Sequence, residues 1–333
     1  MIHDARVLQP QFVPEEVEHR NEEINTLSNT LKPIMDGQNG ETSLLLGPSG
    51  AGKTCIAKFT TDRLRENVLD INRQYVNCWQ DYTRFQVLYR ILEGIGRTVN
   101  IHRRSTPKDE LLDRLQRYDG PQFVVILDEV DQLEDKSVLY DLYRMPTISM
   151  VLITNHEDEL FSHLDGRLAS RLRTCVRVPF EKYHLDELVS ILRARAQWGL
   201  SEDAIGNRQL ELIADAAAGD ARIAIGILRN AARRAEQGDA DHITVDIVRE
   251  AIPNGRHEVR QKTIDQLNSH QRALYDILDE TGELAPGDLY DAYRERVENP
   301  KTNRTVRNHL SKMEHYRLVV AEGKNRARTY RLR

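Results

Sequence analysis

Cysteine is scarce in this 333-residue chain: Cys55, Cys78 and Cys175 are all it has, and none stands in a CxxC pair. Disulfide frameworks and zinc sites need paired or clustered thiols, so neither is expected. Long apolar runs are missing too. No stretch reaches the roughly eighteen apolar residues of a membrane-spanning helix, and the opening MIHDARVLQP lacks the basic-then-apolar layout of a secretory leader. A cytosolic location without a membrane partner is therefore expected. Internal repeats and low-complexity segments are also absent, which argues against a solenoid or a linker-rich chain. What remains is ordinary soluble composition, long enough for two or three domains that each bury a core.

Charge is present but unevenly placed. The chain carries 47 Lys and Arg against 52 Asp and Glu, a net of -5. Residues 299–333 alone hold ten basic side chains against Glu314 and Glu322, a local balance of +8, which leaves about -13 for everything before them. A basic block at one end points to a polyanionic partner.

Short apolar segments at 43–46, 75–77, 123–127, 150–154 and 175–178 alternate with helical stretches, the rhythm of a parallel sheet covered on both faces. A first helix is expected from about Pro14. From Leu185 to Ile252 apolar residues recur every three or four positions, which predicts an all-helical domain. A polar break is expected around Pro253, Asn254 and Gly255. The expected division is 1–180 for an α/β nucleotide-binding domain, 181–255 for a helical lid and 256–333 for a DNA-binding domain.

Gly47-Pro48-Ser49-Gly50-Ala51-Gly52-Lys53-Thr54 follows the segment 43–46 and opens a helix. The glycines allow backbone N–H groups to curl around a β-phosphate, Lys53 adds a point charge, and the helix start adds its dipole. The Thr54 hydroxyl suits Mg²⁺, and Cys55 just behind the loop is a small packing residue. The run Phe123-Val-Val-Ile-Leu ends in Asp128 and Glu129. Asp128 is positioned to hold the metal through water, and Glu129 to deprotonate the attacking water. An acidic pair, with the segment 75–77 between loop and pair, points to a P-loop ATPase with an additional central strand. The segment 150–154 ends in Asn155, where an amide could hold the lytic water.

Taken together, these stretches resemble the archaeal replication-origin initiator family, relatives of the origin recognition complex and its helicase-loading partner. The resemblance is carried by Val13-Pro-Glu-Glu-Val-Glu-His19-Arg20, Leu127-Asp-Glu-Val-Asp131-Gln-Leu133, Ile153-Thr-Asn155 with Leu164-Asp-Gly-Arg167-Leu-Ala-Ser-Arg171-Leu, Pro179-Phe-Glu-Lys-Tyr183, and Gly219-Asp-Ala-Arg222. It implies an AAA+ ATPase core with a five-stranded parallel sheet, a helical lid and a C-terminal winged helix. It further implies that Val13, His19 and Arg20 border adenine, that Tyr183 and Arg195 contact nucleotide, and that Asn155 and Arg222 sense the γ-phosphate. Arg171 matches an arginine finger acting on a neighbouring subunit, with Arg167 as the alternative. A DNA-touching insertion is expected between residues 79 and 107, with Arg103 and Arg104 as candidates.

In the tail, helices are expected at 267–279, 285–297 and 302–316. On a helical wheel Val306, Leu310 and Met313 share one side, while Arg304, Asn308, Ser311 and His315 share the other. Residues 318–321 and 328–332 then flank a basic tip. A helix-turn-helix with a basic hairpin reads as a winged helix. The DNA candidates are Arg304, Arg307, Asn308, Ser311 and Lys312 on the helix and Lys324, Asn325, Arg326 and Arg328 at the hairpin. The leading expectation is an ATPase that uses ATP/ADP and Mg²⁺ as a switch, binds duplex DNA at replication origins, helps recruit the replicative helicase, and assembles with itself or paralogous subunits in the nucleoid. A clamp-loader-like motor and a DNA-binding regulatory ATPase are the alternatives.

Overall fold

The computed structural model describes residues 1–68, 70–102, 106–162, 164–323 and 328–333. Arg103, Arg104, Lys324, Asn325 and Arg326 lie outside the described residues. The chain divides into two compact units, Met1–Arg256 and His257–Arg333.

In the first unit, strands β1 (Ser43–Leu46), β2 (Ile71–Asn77), β3 (Gln122–Asp128), β4 (Ile148–Thr154) and β5 (Val176–Pro179) form one parallel sheet in the order β2-β3-β4-β1-β5. Period-two alternation sends consecutive residues to opposite faces. Phe123, Val125 and Leu127 of β3 join Leu44, Met150 and Leu152 in one core, with α3 (Arg84–Gly94), α4 (Lys108–Gln116) and α5 (Ser137–Tyr143) over it. Val124 and Ile126 join Leu45, Val151 and Ile153 in the other, beneath α1 (Asn21–Leu31) and α2 (Lys53–Asn67). Burial on both faces is why β3 and β4 read as continuous apolar runs. Two short helices, α6 (Glu157–Phe161) and α7 (Gly166–Leu172), complete this layer.

Helices α8 (Leu185–Gly199), α9 (Asn207–Ala217), α10 (Ala221–Gln237) and the first part of α11 (Val245–Asp265) build a separate core around Leu188, Leu192, Ile213, Ile227 and Val248. The N-terminal residues pack here. Leu8 is fully buried in this core, Ile2 bridges to Leu200, and the His3 amide donates to the Gly199 carbonyl at 2.9 Å.

Two expectations are corrected. The first helix starts at Asn21, not near Pro14, because His19 and Arg20 take positive φ (63° and 67°), which a right-handed helix cannot contain. The break at 253–255 does not occur: α11 runs straight through Pro253. A proline there costs about 3 kcal/mol, offset by burial of Val248 and Ala251. Gly255 is a packing residue, since a Cβ there would stand 2.6–2.8 Å from side-chain and backbone atoms of Ile227 on α10.

The second unit holds α12 (Ser269–Thr281), α13 (Pro286–Arg296), α14 (Asn303–His315) and an antiparallel pair, β6 (Val319–Glu322) and β7 (Thr329–Leu332). A bridge from Leu284 to Tyr330 extends the pair by one short partner. Leu274, Leu278, Leu289, Tyr293, Val306, Leu310, Met313 and Leu318 make its core. Asn268 and Gln271 close a capping box on α12, and the Thr302 hydroxyl accepts from the Thr305 amide to start α14.

Candidate nucleotide site and basic helix

The carboxyl ends of β1, β3 and β4 meet at one edge of the sheet, and each delivers one predicted group. Lys53, the first residue of α2, is 7% exposed and donates from Nζ to the Gly47 carbonyl (2.6 Å), the Pro48 carbonyl (2.8 Å) and Asn155 Oδ1 (2.9 Å). Burial pulls its ammonium down from 10.5 to about 8, against the pull of the nearby Asp128 carboxylate. A buried ammonium whose described hydrogen bonds go to three neutral oxygens can exchange them for an anion. Thr54 Oγ1 donates to Asp128 Oδ2 at 2.7 Å, and the Tyr75 hydroxyl donates to the same oxygen at 3.0 Å. Burial, then the Asp128 charge, keeps that phenol protonated, and Lys58 sits 3.9 Å over its ring. Glu129 is a non-glycine residue at φ 55°, ψ 46°, a left-handed kink directly after β3. Behind it, Asp131 accepts from the Thr154 hydroxyl at 2.8 Å, tying the end of β4 to the acidic segment.

Asp220 caps α10, accepting the Arg222 and Ile223 amides on Oδ1. Gly50 lies against this carboxylate at φ 79°, and the Ala221 amide donates to the Gly50 carbonyl at 3.2 Å. The loop and the helical part are thus in direct contact. Tyr183 stands over Gly52, whose Cβ would meet its hydroxyl at 2.4 Å. A cavity of about 790 Å³ opens among these groups. Ser49, Gly50, Gly52, Lys53, Thr54, Cys55, Asp128, Glu129, Asn155, Tyr183, Arg195 and Arg222 all line it.

Other predicted residues fall elsewhere. Val13, His19 and Arg20 do not line this cavity, whereas Pro14 and residues 15–18 do. Arg20 is turned onto the Tyr183 ring at 4.2 Å and donates to the Glu181 carbonyl at 2.5 Å. Gly47, Pro48 and Ala51 belong to the loop without facing the cavity. Arg195 is buried and donates to the Val7 carbonyl (2.7 Å) and the Phe12 carbonyl (3.0 Å), so its guanidinium holds the N-terminal segment beside the cavity. Arg171 is half-buried, with its guanidinium 4.8 Å and 5.6 Å from the Tyr140 and Tyr143 rings, while Arg167 is exposed. Neither lines the cavity.

On α14, Arg304, Arg307, Asn308 and Ser311 are exposed while Val306, Leu310 and Met313 are buried, the two-sided division expected from the wheel except at His315, which is half-buried with its ring edge-on to that of Tyr316. Lys312 is a correction. It is 5% exposed, and its ammonium lies 5.7 Å over the ring of Tyr316 one turn on, so it cannot share the outer face. Arg328 is half-buried, 5.2 Å over Tyr330 and 3.6 Å from Glu314.

Comparison with known proteins decides the family. Residues 38–160 match the AAA domain and residues 189–253 the Cdc6 AAA+ ATPase-type lid domain. ORC1-type DNA replication protein 9 of Halobacterium salinarum is 53% identical over 332 residues, covering 100% of this chain and 94% of the relative. The chain belongs to the ORC1-type DNA replication protein family. ORC1-type DNA replication protein 1 of the same organism is 56% identical over 308 residues, 92% of this chain and 100% of that protein. Among solved structures, the Aeropyrum pernix ORC1 protein in complex with DNA superposes with a TM-score of 0.77 at 26% identity, over 99% of this chain and 93% of that one. This ORC1-type chain is accordingly a replication-initiator AAA+ ATPase with a parallel five-stranded sheet and a helical lid.

Motif reading missed Tyr75, Asp131 and Asp220, as well as the cavity residues Val7, Phe12, Pro14 and Trp198. Asp131 stands two positions after Glu129, and that proximity is the signal that points to it, whereas Tyr75 reaches Asp128, 53 residues away, only through the pairing of β2 with β3. Val7 and Phe12 carry no local signal, because they reach the cavity through packing and the hydrogen bonds that Arg195 of α8 donates to their carbonyls.

Among the described residues no group of three or more His, Cys, Asp or Glu side chains could hold a metal by itself, and no helix is long and apolar enough to cross a membrane.

Proposed function

We propose that this ORC1-type chain is an ATP-switched initiator that binds duplex DNA at replication origins and helps recruit the replicative helicase. The observation that carries the reading is the pairing in one chain of a buried lysine, carboxylate and lid-arginine site with a helix whose outer face exposes Arg304, Arg307, Asn308 and Ser311. The relative from Aeropyrum pernix was solved in complex with DNA, which supports the same role here. In this reading residues 1–180 form the nucleotide-binding domain, 181–255 the lid and 256–333 a winged helix.

Lys53 exchanges its loop carbonyls for β- and γ-phosphate oxygens, and the curled loop and the start of α2 supply N–H donors. Thr54 and Asp128 bring two hard oxygens within 2.7 Å of each other, a donor pair that suits Mg²⁺. The ion, when bound, neutralises charge on the β- and γ-phosphate oxygens. Glu129 takes the proton of the attacking water, Asn155 orients that water, and Arg222 pairs with the γ-phosphate. Tyr183 and Arg195, with residues 14–18, enclose the base side. Arg171 leaves its two tyrosines to act as a finger on a neighbouring subunit, so hydrolysis depends on assembly. The exposed face of α14 reads a groove, and Arg328 with the hairpin grips phosphates.

Glu129→Gln retains shape but not the base, so it keeps ATP bound without turnover. Fluorescence anisotropy on an origin duplex should then show an ATP-dependent complex that persists in the variant and decays in the wild type. Equal binding to origin and scrambled duplexes in every nucleotide state would refute the reading. A genomic footprint clustered at replication origins separates it from a clamp loader or a regulator.

A further inference from the structure

The Asp220–Arg222 pair sits where the lid meets the phosphate loop. Arg222 Nη2 lies 3.0 Å from Asp220 Oδ2, and Nε lies 3.4 Å from Oδ1. The guanidinium is therefore folded back over the start of its own helix. Its side chain is 39% exposed and that of Asp220 17%. Both Arg222 and Lys53 line the same cavity, so Arg222 is within the phosphate region while engaged to a carboxylate. That carboxylate also touches the loop: a methyl group on Gly50 would fall 2.1 Å from Asp220 Oδ1. A negative charge against a phosphate-binding loop opposes a polyphosphate, so capping alone does not account for it. Asn or Ser would cap α10 as well as Asp does.

The geometry points to Asp220 as a positioning residue that stands in for the γ-phosphate, holding Arg222 until ATP displaces it and so setting how strongly the site prefers ATP over ADP. The inference rests on the reading of Arg222 as the γ-phosphate sensor. ADP has no γ-phosphate to compete for the guanidinium, so Arg222 stays on Asp220 and the lid contact is unchanged. With ATP bound, the γ-phosphate carries more charge than one carboxylate and takes Arg222 over. The competition for Arg222 concerns ATP alone and adds to whatever repulsion the carboxylate exerts on both nucleotides, and no covalent step is involved.

The test is calorimetric binding of ADP and a non-hydrolysable ATP analogue to the full chain. Asp220→Asn keeps the cap and removes the charge, and Asp220→Ser does the same should the first variant fail to fold. The ATP-analogue to ADP affinity ratio should rise by up to about fivefold, the scale of a partly exposed ion pair, whatever gain the two nucleotides share from removing the charge beside the loop. In the background of Arg222→Ala, which itself should lower the ratio, Asp220→Asn should have no further effect. An unchanged or lowered ratio in Asp220→Asn, with Arg222→Ala still lowering it, overturns the inference and leaves the sensor reading intact. An equal rise with and without Arg222 also overturns it, because Asp220 would then simply repel the phosphate. A ratio indifferent to Arg222→Ala removes the sensor reading itself.

Discussion

The nucleotide site and the basic helix are both clusters of polar side chains, yet they are built in opposite ways. Lys53, Thr54, Asp128 and Asn155 come from three segments up to 102 residues apart and are linked by hydrogen bonds of 2.7–2.9 Å in a largely buried setting. Arg304, Arg307, Asn308 and Ser311 come from two turns of a single helix and face outward. In the first cluster every group is constrained by the fold, so its geometry is informative without a ligand. In the second the fold constrains the opposite, buried face and, on the outer side, Arg307, whose Nε donates to the Tyr290 hydroxyl at 3.3 Å. The buried cluster should thus respond to substitution through both binding and stability, and the exposed one through DNA alone.

The sharpest challenge to that contrast is Lys53→Ala. Losing a charge-assisted contact to two phosphates should cost about 3 kcal/mol or more, over a hundredfold in affinity for ATP. Calorimetry that finds ATP affinity within a factor of two of wild type would dissolve the site. Arg195→Ala tests whether the buried side couples binding to structure. It leaves the Val7 and Phe12 carbonyls without their donor, so stability should drop by about 2–3 kcal/mol. Limited proteolysis should then open the segment before Asn21, and an unchanged melting temperature with an intact N-terminus would argue that the segment is held by Leu8 packing alone.

On the exposed side, Arg304→Ala or Asn308→Ala should reduce preference for cognate over scrambled duplex by about 1–3 kcal/mol per base contact. Thermal stability should not move, since neither side chain is buried. Lys312→Ala should do the reverse, costing about 1 kcal/mol of stability through lost packing on Tyr316 with little change in DNA preference. If Lys312→Ala weakens DNA without destabilising, the line between the two faces of α14 is misdrawn. The smallest effect is expected at Arg328→Ala, where the slope of log K against log salt should fall by up to about 0.9 for one lost phosphate contact. A slope that stays constant while α14 variants lose specificity would confine DNA contact to the helix.

Much of the nucleotide region was legible because its chemistry needs particular residues at particular spacings. A strand, a glycine loop and a lysine must be contiguous, and β3 must be apolar on both faces to sit mid-sheet and end in Asp128 and Glu129. The two faces of α14 were legible for a similar reason, since 3.6-residue periodicity is local. Lys312 was misplaced because its position on the wheel is marginal and Tyr316 one turn away captures it. Pro253 and Gly255 read as a break because local propensity carries no knowledge of Ile227 on α10, which is what Gly255 packs against.

By itself, then, the sequence determined the parallel sheet, the phosphate loop and acidic pair, the helical lid and the basic outer face of α14, all of which rest on short-range spacing, periodicity or charge. Only the tertiary structure decided that Arg195 spends its guanidinium on Val7 and Phe12, 188 and 183 residues away, and that Arg20 stacks on Tyr183. It also decided that Arg171 lies between two tyrosines and that Asp220 meets Gly50. The physical reason is the same for each. A long cationic or acidic side chain has several partners of similar energy, and which one it takes depends on how distant elements pack.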